Sequence, residues 1–317
     1  MKILNILKGI KWSLLTLMLI VTTVWAVLAI YFGDSHTGIL QTAIAAVVGC
    51  FGLATLVSLG FTQWRKRFLV GYAILFVLIV SGWWFAVQPS NDRQWQADLA
   101  TLPFATVEGD FVTVHNIRNI DYRSEFDYST AYYDKTFDLN ALKGIDLFAV
   151  YWMGPAIAHT ILSFNFGEKG HLAVSIEARK EQGEGYSTIK GFFRQYELTY
   201  IVADERHPPK ENARRLFLEY IKEINELHEK PAFYNTLLDN CTTAIWVNTR
   251  VNPTHLPFSW KILLSGYLPE YIYESGGLNT KIPFEQLQQQ AYINVAAKIF
   301  DKSPEFSQGI RATIDKP

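Results

Sequence analysis

The sequence predicts an α+β protein in which three N-terminal transmembrane helices precede a domain with an antiparallel sheet and a cysteine-bearing helix. Three observations support this fold class: long uncharged apolar stretches in series near the start, two strand-like stretches around a glycine-containing turn, and an Asp-Asn-Cys sequence directly before an apolar run. Of the 317 residues, 49% are hydrophobic. Because the early stretches hold so many of them, the chain does not have the even composition of one globular domain.

Each apolar stretch is long enough to cross a bilayer. The stretches without any charged residue are Trp12–Phe32, Thr37–Trp64 and Phe68–Gln88. A helix needs about 20 apolar residues to span the hydrocarbon core. A signal peptide would explain only the first stretch, and no convincing small-residue cleavage site follows it. We therefore predict a membrane domain over residues 1–88, rather than buried helices of a soluble core. Its helices are expected at about 12–32, 38–62 and 68–88.

The charges around these stretches predict the topology. Six basic residues precede the first stretch or separate the second from the third: Lys2, Lys8, Lys11, Arg65, Lys66 and Arg67. The remaining loop, Gly33–His36, carries only Asp34. The positive-inside rule therefore places the N-terminus in the cytoplasm and everything after Gln88 on the outer side. Trp83, Trp84 and Phe85 are expected in the interfacial aromatic belt at that exit.

The rest of the chain is predicted to form one outer domain. Residues 89–100 are mostly polar and are expected to be a linker, and residues 101–317 form the extracytoplasmic domain. Residues 1–88 hold six basic residues and one acidic residue, so the net charge of −1 for the whole chain leaves −6 for residues 89–317. A mildly acidic domain lacks the basic surface that nucleic-acid binding requires, and no nucleic-acid partner is predicted.

A β-hairpin is predicted in the middle of the outer domain. Its parts are a strand over Ile157–Phe166, a turn over Gly167–Gly170 and a strand over His171–Arg179. The turn length pairs Asn165 with His171, and in that register His159 lies opposite Glu177. Facing residues have Cβ atoms about 5 Å apart. The carboxylate of Glu177 is therefore expected to contact the imidazole of His159, although a one-residue slip of the register would separate them.

Cys241 is predicted to lie in the first turn of a helix. Asp239 and Asn240 come directly before an apolar run, which is a helix N-cap signal. The N-terminus of a helix favours a thiolate, and its amide groups can receive an oxyanion. Asn240 and Thr242 are expected to cap the helix or to stabilise an oxyanion. The other cysteine, Cys50, lies in the second apolar stretch, so a disulfide is not expected.

Two interpretations of Cys241 remain open on the residues alone. A buried, inert cysteine is common in proteins. A catalytic thiol needs a base and a group that orients the base, and His159 with Glu177 would supply both. His171 is the alternative orienting residue. A metal site is not predicted, because His159 and His171 are twelve residues apart without further clustered ligands, and no cofactor is predicted.

Four segments carry a resemblance to known thiol enzymes: His159–Phe164, Ser175–Glu181, Tyr234–Thr243 and Trp260–Tyr267. The order of a histidine strand, its hairpin partner and an Asn-Cys motif resembles the circularly permuted NlpC-type papain-like enzymes, a group that includes lecithin:retinol acyltransferase. More closely, residues from about 105 to 290 resemble the periplasmic domain of Lnb-type lipoprotein N-acyltransferases.

The resemblance implies a permuted papain-like fold with Cys241 as nucleophile and His159 as base. Relatives of the retinol acyltransferase type place a second histidine in the next strand, where this chain has both His171 and Glu177. The implied reaction moves an acyl chain from a phospholipid, through a Cys241 thioester, to an amine acceptor such as the N-terminus of a lipoprotein. The implied location is a bacterial inner membrane with the outer domain in the periplasm.

Two other functions remain open on the sequence. A papain-like cysteine peptidase or amidase acting on the cell envelope would use the same thiol and base with a different acceptor. A non-catalytic, membrane-tethered envelope factor on the same scaffold would need neither residue.

Overall fold

The computed structural model describes residues 2–33, 38–124, 127–205, 212–253, 255–301, 303 and 305–312. Asp34 and most of its predicted loop lie outside these residues. The chain forms two compact units. Unit 1 contains Met1–Ser90 and Tyr186–Tyr196, and unit 2 contains Asn91–Gly185 and Glu197–Pro317.

Unit 1 is built on three long apolar helices, as the sequence predicts. They are α1 (Lys2–Phe32), α2 (Ile39–Ser58) and α3 (Arg65–Ala86). Within the described part of the chain, these three are long and apolar enough to cross a membrane. The Tyr72 hydroxyl lies 2.8 Å from Oγ1 of Thr22 and 2.9 Å from Oγ1 of Thr23. These hydrogen bonds between helices satisfy polar groups that lipid would leave without partners.

Unit 2 is a mixed α+β domain. Its strands are β1 (Phe104–Glu108), β2 (Phe111–Arg118), β3 (Asp121–Tyr122), β4 (Tyr128–Ser129), β5 (Tyr132–Asp138), β6 (Gly144–Met153), β7 (Ile157–Asn165), β8 (His171–Arg179) and β9 (Glu197–Glu205). Among the described residues these strands form antiparallel sheets with the orders β1-β2-β5, β3-β4 and β6-β7-β8-β9.

The predicted hairpin is β7 and β8. Its paired residues run from Asn165 and His171 at the turn to Ile161 and Ser175, which confirms the predicted pairing of Asn165 with His171. Gly167 and Gly170 in the turn have φ values of 60° and 97°, which glycine adopts without steric cost. If the same register is continued for two residues beyond the pair of Ile161 and Ser175, His159 lies opposite Glu177.

Helices complete both units. The short helix α4 (Thr188–Gly191) belongs to unit 1. In unit 2 the helices are α5 (Asn212–Glu229), α6 (Cys241–Thr249), α7 (Trp260–Leu263), α8 (Leu268–Glu274), α9 (Phe284–Gln290), α10 (Asn294–Ile299) and α11 (Phe306–Arg311).

Helix α5 forms the core against the four-stranded sheet. The ring of Phe217 lies 5.1 Å from the rings of both Phe164 and Phe166. The ring of Tyr220 lies 5.7 Å from that of Tyr200 on β9. Burying a side chain such as Phe217 contributes roughly 1.5–3 kcal/mol. This packing fixes the sheet that carries His159.

Residues 91–100 differ from the predicted linker, because they pack into unit 2. Trp95 and Leu99 are buried, and Trp95 forms a β-bridge with Glu181. The guanidinium of Arg179 lies 4.2 Å from the Trp95 ring centroid and donates a hydrogen bond to the Leu99 carbonyl. The linker prediction relied on the mostly polar composition of this segment and overlooked the two apolar residues, Trp95 and Leu99, that pack into unit 2.

Candidate active site

Helix α6 begins with a reciprocal capping arrangement that fixes the position of Cys241. Oδ1 of Asn240 accepts hydrogen bonds from the backbone N–H groups of Thr242 at 2.9 Å and Thr243 at 3.0 Å. Oγ1 of Thr243 in turn accepts from the Asn240 backbone N–H at 2.9 Å. Such caps satisfy the amide groups that have no partner inside the helix. Cys241 is therefore the first residue of α6, as the sequence predicts, and its side chain is buried.

The strands β7 and β8 bring His159 and Glu177 together. Nε2 of His159 lies 2.9 Å from Oε1 of Glu177 and 2.7 Å from Oγ of Ser175. Because the Ser175 hydroxyl donates to Glu177 at 2.7 Å, it accepts from the imidazole N–H. A carboxylate and a hydroxyl thus hold the same ring nitrogen, which fixes the tautomer of His159 with its proton on Nε2 when the ring is neutral.

Electrostatic interaction links the Cys241 thiol to the imidazole of His159, because each side chain shifts the pKa of the other. Since Nε2 of His159 faces Glu177 and Ser175, Nδ1 is the ring nitrogen available to the thiol. The side chains of His159 and Glu177 are 25% and 35% exposed, so the pair borders solvent while the thiol is covered. The structure therefore places three of the predicted site residues in one chain of contacts.

The electrostatics of this cluster favour a thiolate beside an imidazolium. Burial opposes charge on His159, but hydrogen bonds and negative charge from Cys241 and Glu177 outweigh it and raise the pKa of His159 to about 10. Burial likewise raises the pKa of Cys241, and the hydrogen bond and charge of His159 bring the net pKa below its usual range. Opposite charges at close range stabilise each other in this way. The pKa of Glu177 is also lowered, because its bond to His159 outweighs burial.

Thr160 is a site residue that the sequence analysis missed. Its backbone and its side chain both lower the pKa of the Cys241 thiol. Its hydroxyl also lies 3.1 Å from that of Thr242, which is 3.7 Å from Sγ of Cys241. Alternation along β7 directs Thr160 and His159 to opposite faces. Because of that alternation, Thr160 was not expected near the thiol. Its place next to the predicted base in the sequence was the signal that could have indicated it.

Ser175 was also missed as a contact of His159. The predicted register places Glu177 opposite His159, and Ser175 lies two residues earlier on the same face of β8. Its hydroxyl fills the space between the imidazole and the carboxylate, at 2.7 Å from each. The signal was the Ser-Ile-Glu sequence of β8, since a small hydroxyl residue two positions before a carboxylate shares its face of the strand and can bond both groups.

His171, the predicted alternative orienting residue, lies far from His159. It lies at the turn end of the hairpin, six residue positions along β7 from His159, or roughly 20 Å at about 3.3 Å per residue. Its side chain is fully buried, and its Nε2 lies 2.8 Å from Nδ2 of Asn165 and 3.8 Å from Oδ2 of Asp146. His171 therefore belongs to a polar network in the interior.

The side chain of Asn240 is engaged on both of its polar atoms. Oδ1 caps α6, and Nδ2 donates to the Thr236 carbonyl at 2.7 Å. The helix-cap role expected for Asn240 is thus visible, whereas a role in oxyanion binding would require Nδ2 to leave Thr236. Within the described ranges, no group of three or more His, Cys, Asp or Glu side chains is arranged to hold a metal ion.

Apolar side chains lie on strand and loop positions next to the thiol and its base. Val150 pairs with His159 across β6 and β7 and is 52% exposed. Leu237 and Leu238, which lie just before the cap of α6, are 42% and 72% exposed.

A family model matches the part of the chain that carries this site. It covers residues 128–210 and 207–266 and is described as the Lnb N-terminal periplasmic domain. Residues 128–266 are similar to the Lnb N-terminal periplasmic domain. His159, Glu177 and Cys241 all lie inside this Lnb-like segment, and the three apolar helices lie outside it. No curated protein and no solved structure matches the chain.

The helices and the Lnb-like segment together define the class of protein. The helices of unit 1 are suited to a membrane, and the matched family is periplasmic. The chain therefore combines three helices suited to a membrane with an α+β domain that is similar to the Lnb N-terminal periplasmic domain.

Proposed function

We propose that this protein is a membrane-anchored thiol acyltransferase that moves an acyl chain from a phospholipid to an amine, the N-terminus of a lipoprotein. The observation that carries the proposal is the chain of contacts from Glu177 through His159 to Cys241 at the start of α6. Thiol, base and orienting carboxylate in this order are the components of nucleophilic acyl chemistry. On this proposal the Lnb-like domain has the permuted papain-like arrangement that the sequence resemblance implies.

In the first half-reaction, the Cys241 thiolate attacks an ester carbonyl of the phospholipid. The new C–S bond forms while the carbonyl electrons move to oxygen. When the tetrahedral intermediate collapses, the ester C–O bond breaks and the imidazolium of His159 gives its proton to the departing alkoxide. The products are a lysophospholipid and an acyl thioester on Cys241. Proton transfer by a positioned histidine contributes about 10²- to 10⁴-fold to such a step.

An oxyanion at this intermediate needs donors near Sγ. The backbone N–H groups of Thr242 and Thr243 donate to the capping side chain of Asn240. We therefore assign the backbone N–H of Cys241 itself as the donor to the oxyanion from the first turn of α6. The partial positive charge at the N-terminus of α6 supports the same role. Removing one such donor typically costs about 10²- to 10³-fold in rate.

In the second half-reaction, the neutral amine attacks the thioester and His159 accepts the proton that the nitrogen loses. The C–S bond breaks, the thiolate of Cys241 leaves, and the ion pair is restored. The amide product carries the acyl chain. An amine acceptor on a lipoprotein suits a protein anchored in the same membrane, and the exposed Val150, Leu237 and Leu238 suit an acyl donor.

Acyl capture tests the proposal. The protein purified in detergent is incubated with phospholipid, and intact mass is measured before and after neutral hydroxylamine, which cleaves thioesters. We expect a labile acyl adduct on the wild type and on Cys50→Ser, and none on Cys241→Ala. Cys50 is the matched control because it is the only other thiol in the chain. His159→Ala is expected to form the adduct about 10²- to 10⁴-fold more slowly.

The outcome also distinguishes the alternatives. A folded wild-type protein that forms no adduct with any phospholipid would contradict acyl transfer and favour a non-catalytic envelope factor. An adduct that is discharged to free acid at the same rate with and without a lipopeptide amine would favour a hydrolase. Transfer of the acyl chain to the amine of the lipopeptide, dependent on Cys241, would support the acceptor we propose.

We also propose that the N-terminus lies in the cytoplasm. A periplasmic domain that follows three membrane crossings requires the chain to begin on the opposite side. The basic residues Arg65, Lys66 and Arg67 between α2 and α3 support the same orientation. A fluorescent protein that matures only in the cytoplasm, fused before residue 1, should be bright. A dark but stable fusion would contradict this orientation.

A further inference from the structure

One segment between two strands of the four-stranded sheet belongs to unit 1. Tyr186–Tyr196 follows β8 and precedes β9 along the chain, yet it forms one compact unit with residues 1–90. It contains α4 and no acidic residue, and it carries the cations Lys190 and Arg194. This segment is called the interface loop below.

Arg194 packs and hydrogen-bonds the interface loop against the C-terminal end of α3. Its guanidinium carbon lies 4.4 Å from the ring centroid of Trp83 and 4.2 Å from that of Trp84. Its Nη1 donates to the carbonyls of Trp84 and Val87, both at 3.2 Å. The last carbonyls of a helix lack partners inside the helix, so this cation completes the C-terminus of α3. Cation–π contacts with tryptophan add to the attachment.

Phe193 attaches the same loop to the end of α1. Its ring lies 6.2 Å from that of Phe32, the last residue of α1, and 6.3 Å from that of Trp25. The ring of Trp25 in turn lies 5.5 Å from that of Trp83. Phe193 is buried by these contacts. The loop is therefore held at the ends of two apolar helices, α1 and α3, that finish on the same side of unit 1.

The opposite side of the interface loop exposes apolar side chains. Ile189 and Phe192, three residues apart at α4, are 53% and 41% exposed. At the adjoining end of α3, Trp84 and Phe85 are 57% and 76% exposed. Aromatic and apolar side chains at the ends of membrane helices lie at the level of the lipid headgroups. Lys190, in the same short helix, places a cation at this level, where anionic headgroups attract it.

We propose that the interface loop is a second membrane-binding element, in which Ile189 and Phe192 insert into the outer leaflet and Lys190 contacts lipid phosphate. The occupant of this surface is phospholipid, because the loop is packed on the ends of the membrane helices themselves. The combination of apolar side chains and adjacent cations is the one that interfacial helices use. The inference is independent of the chemistry at Cys241.

Depth-dependent quenching tests this proposal in the full-length protein in phospholipid vesicles. Single-cysteine variants Ile189→Cys and Phe192→Cys, in a background with Cys50→Ser and Cys241→Ser, carry an environment-sensitive fluorophore. The matched control is Val107→Cys, because Val107 on β1 in unit 2 is 49% exposed, close to the 53% of Ile189. We expect blue-shifted emission at 189 and 192, quenching by nitroxide-labelled lipid, and little quenching by aqueous iodide. Position 107 should show the reverse.

Two results would overturn the proposal. Emission and iodide quenching at 189 and 192 equal to those at 107 would place the loop in water. Blue-shifted emission without quenching by nitroxide-labelled lipid would show that protein, rather than lipid, covers these side chains. Loss of the lipid quenching in vesicles without anionic lipid, with the blue shift reduced, would show that insertion depends on attraction between anionic headgroups and cations of the protein, and would support the proposal in its full form.

Discussion

Nε2 of His159 lies 2.9 Å from Oε1 of Glu177, at the end of a hairpin whose register is set at its other end by Asn165 and His171. The carboxylate stabilises the imidazolium, and the imidazolium stabilises the thiolate of Cys241. The turn of the hairpin thus determines the state of a thiol on a helix that comes some 70 residues later in the chain.

Replacing Glu177 with Gln tests the charge of this contact. Glutamine keeps a hydrogen-bond acceptor opposite Nε2 but removes the negative charge, so the pKa of His159 should fall. Each unit of that fall weakens the ion pair with Cys241 by about 1.4 kcal/mol, or about tenfold. We expect slower iodoacetamide alkylation of Cys241 at mildly acid pH, measured in the Cys50→Ser background. An alkylation profile equal to that of the unsubstituted protein would contradict the role of Glu177.

The fold class and the pairing of His159 with Glu177 were predictable because local rules determine them. Uncharged length predicts the membrane helices, and a glycine turn of known length determines the strand register. The position of Cys241 followed from Asn240, whose cap the structure contains. Contacts between distant elements were not predictable: Thr160 reaches the thiol only because α6 packs at the end of β7. The membership of Tyr186–Tyr196 in unit 1 depends on Arg194 and Phe193 in the same way.

The pH dependence of the wild type follows from two shifts of opposite sign. The pKa of Cys241 is lowered, so the thiolate is present from a pH below the usual thiol range of about 8.5 upward. The pKa of His159 is raised to about 10, so the imidazolium persists up to that pH. Acyl-adduct formation should therefore be maximal on a plateau between these limits and decline above about pH 10. An acid limb centred near the ordinary thiol pKa would contradict the ion pair.

Ser175→Ala should have a smaller effect than Glu177→Gln. The substitution removes the hydroxyl's hydrogen bonds to His159 and Glu177 but leaves the charge of Glu177 in place, and a hydrogen bond to a charged group contributes about 1.5–3 kcal/mol. We expect the pKa of His159, measured by NMR titration, to fall while the ion pair remains. The control is Thr113→Ala, which removes a strand hydroxyl hydrogen-bonded to that of Thr136 in the β1-β2-β5 sheet. An unchanged His159 titration would show that Ser175 only fills space.

Thr160→Val tests the hydroxyl that contacts the thiol. Valine has nearly the shape of threonine and keeps the backbone group, but it loses the hydroxyl that contacts Thr242 and lowers the pKa of Cys241. The pKa of Cys241 should rise, which shifts the acid limb of alkylation to higher pH. Thr160→Ser restores the hydroxyl and should restore the profile. A shift of the same size in Thr160→Ser would assign the effect to packing.

Substitutions at Asn240 can distinguish a role as helix cap from a role as oxyanion donor. Serine is also a good N-cap residue, but it has no side-chain amide, so Asn240→Ser keeps the cap and removes any donor on Nδ2. Since Nδ2 donates to the Thr236 carbonyl, we expect Asn240→Ser to form the acyl adduct at nearly the wild-type rate. Asn240→Ala loses the cap and should lower the free energy of unfolding by about 1 kcal/mol. A loss of about 10²- to 10³-fold in adduct formation by a fully folded Asn240→Ser protein would instead assign the oxyanion to its amide.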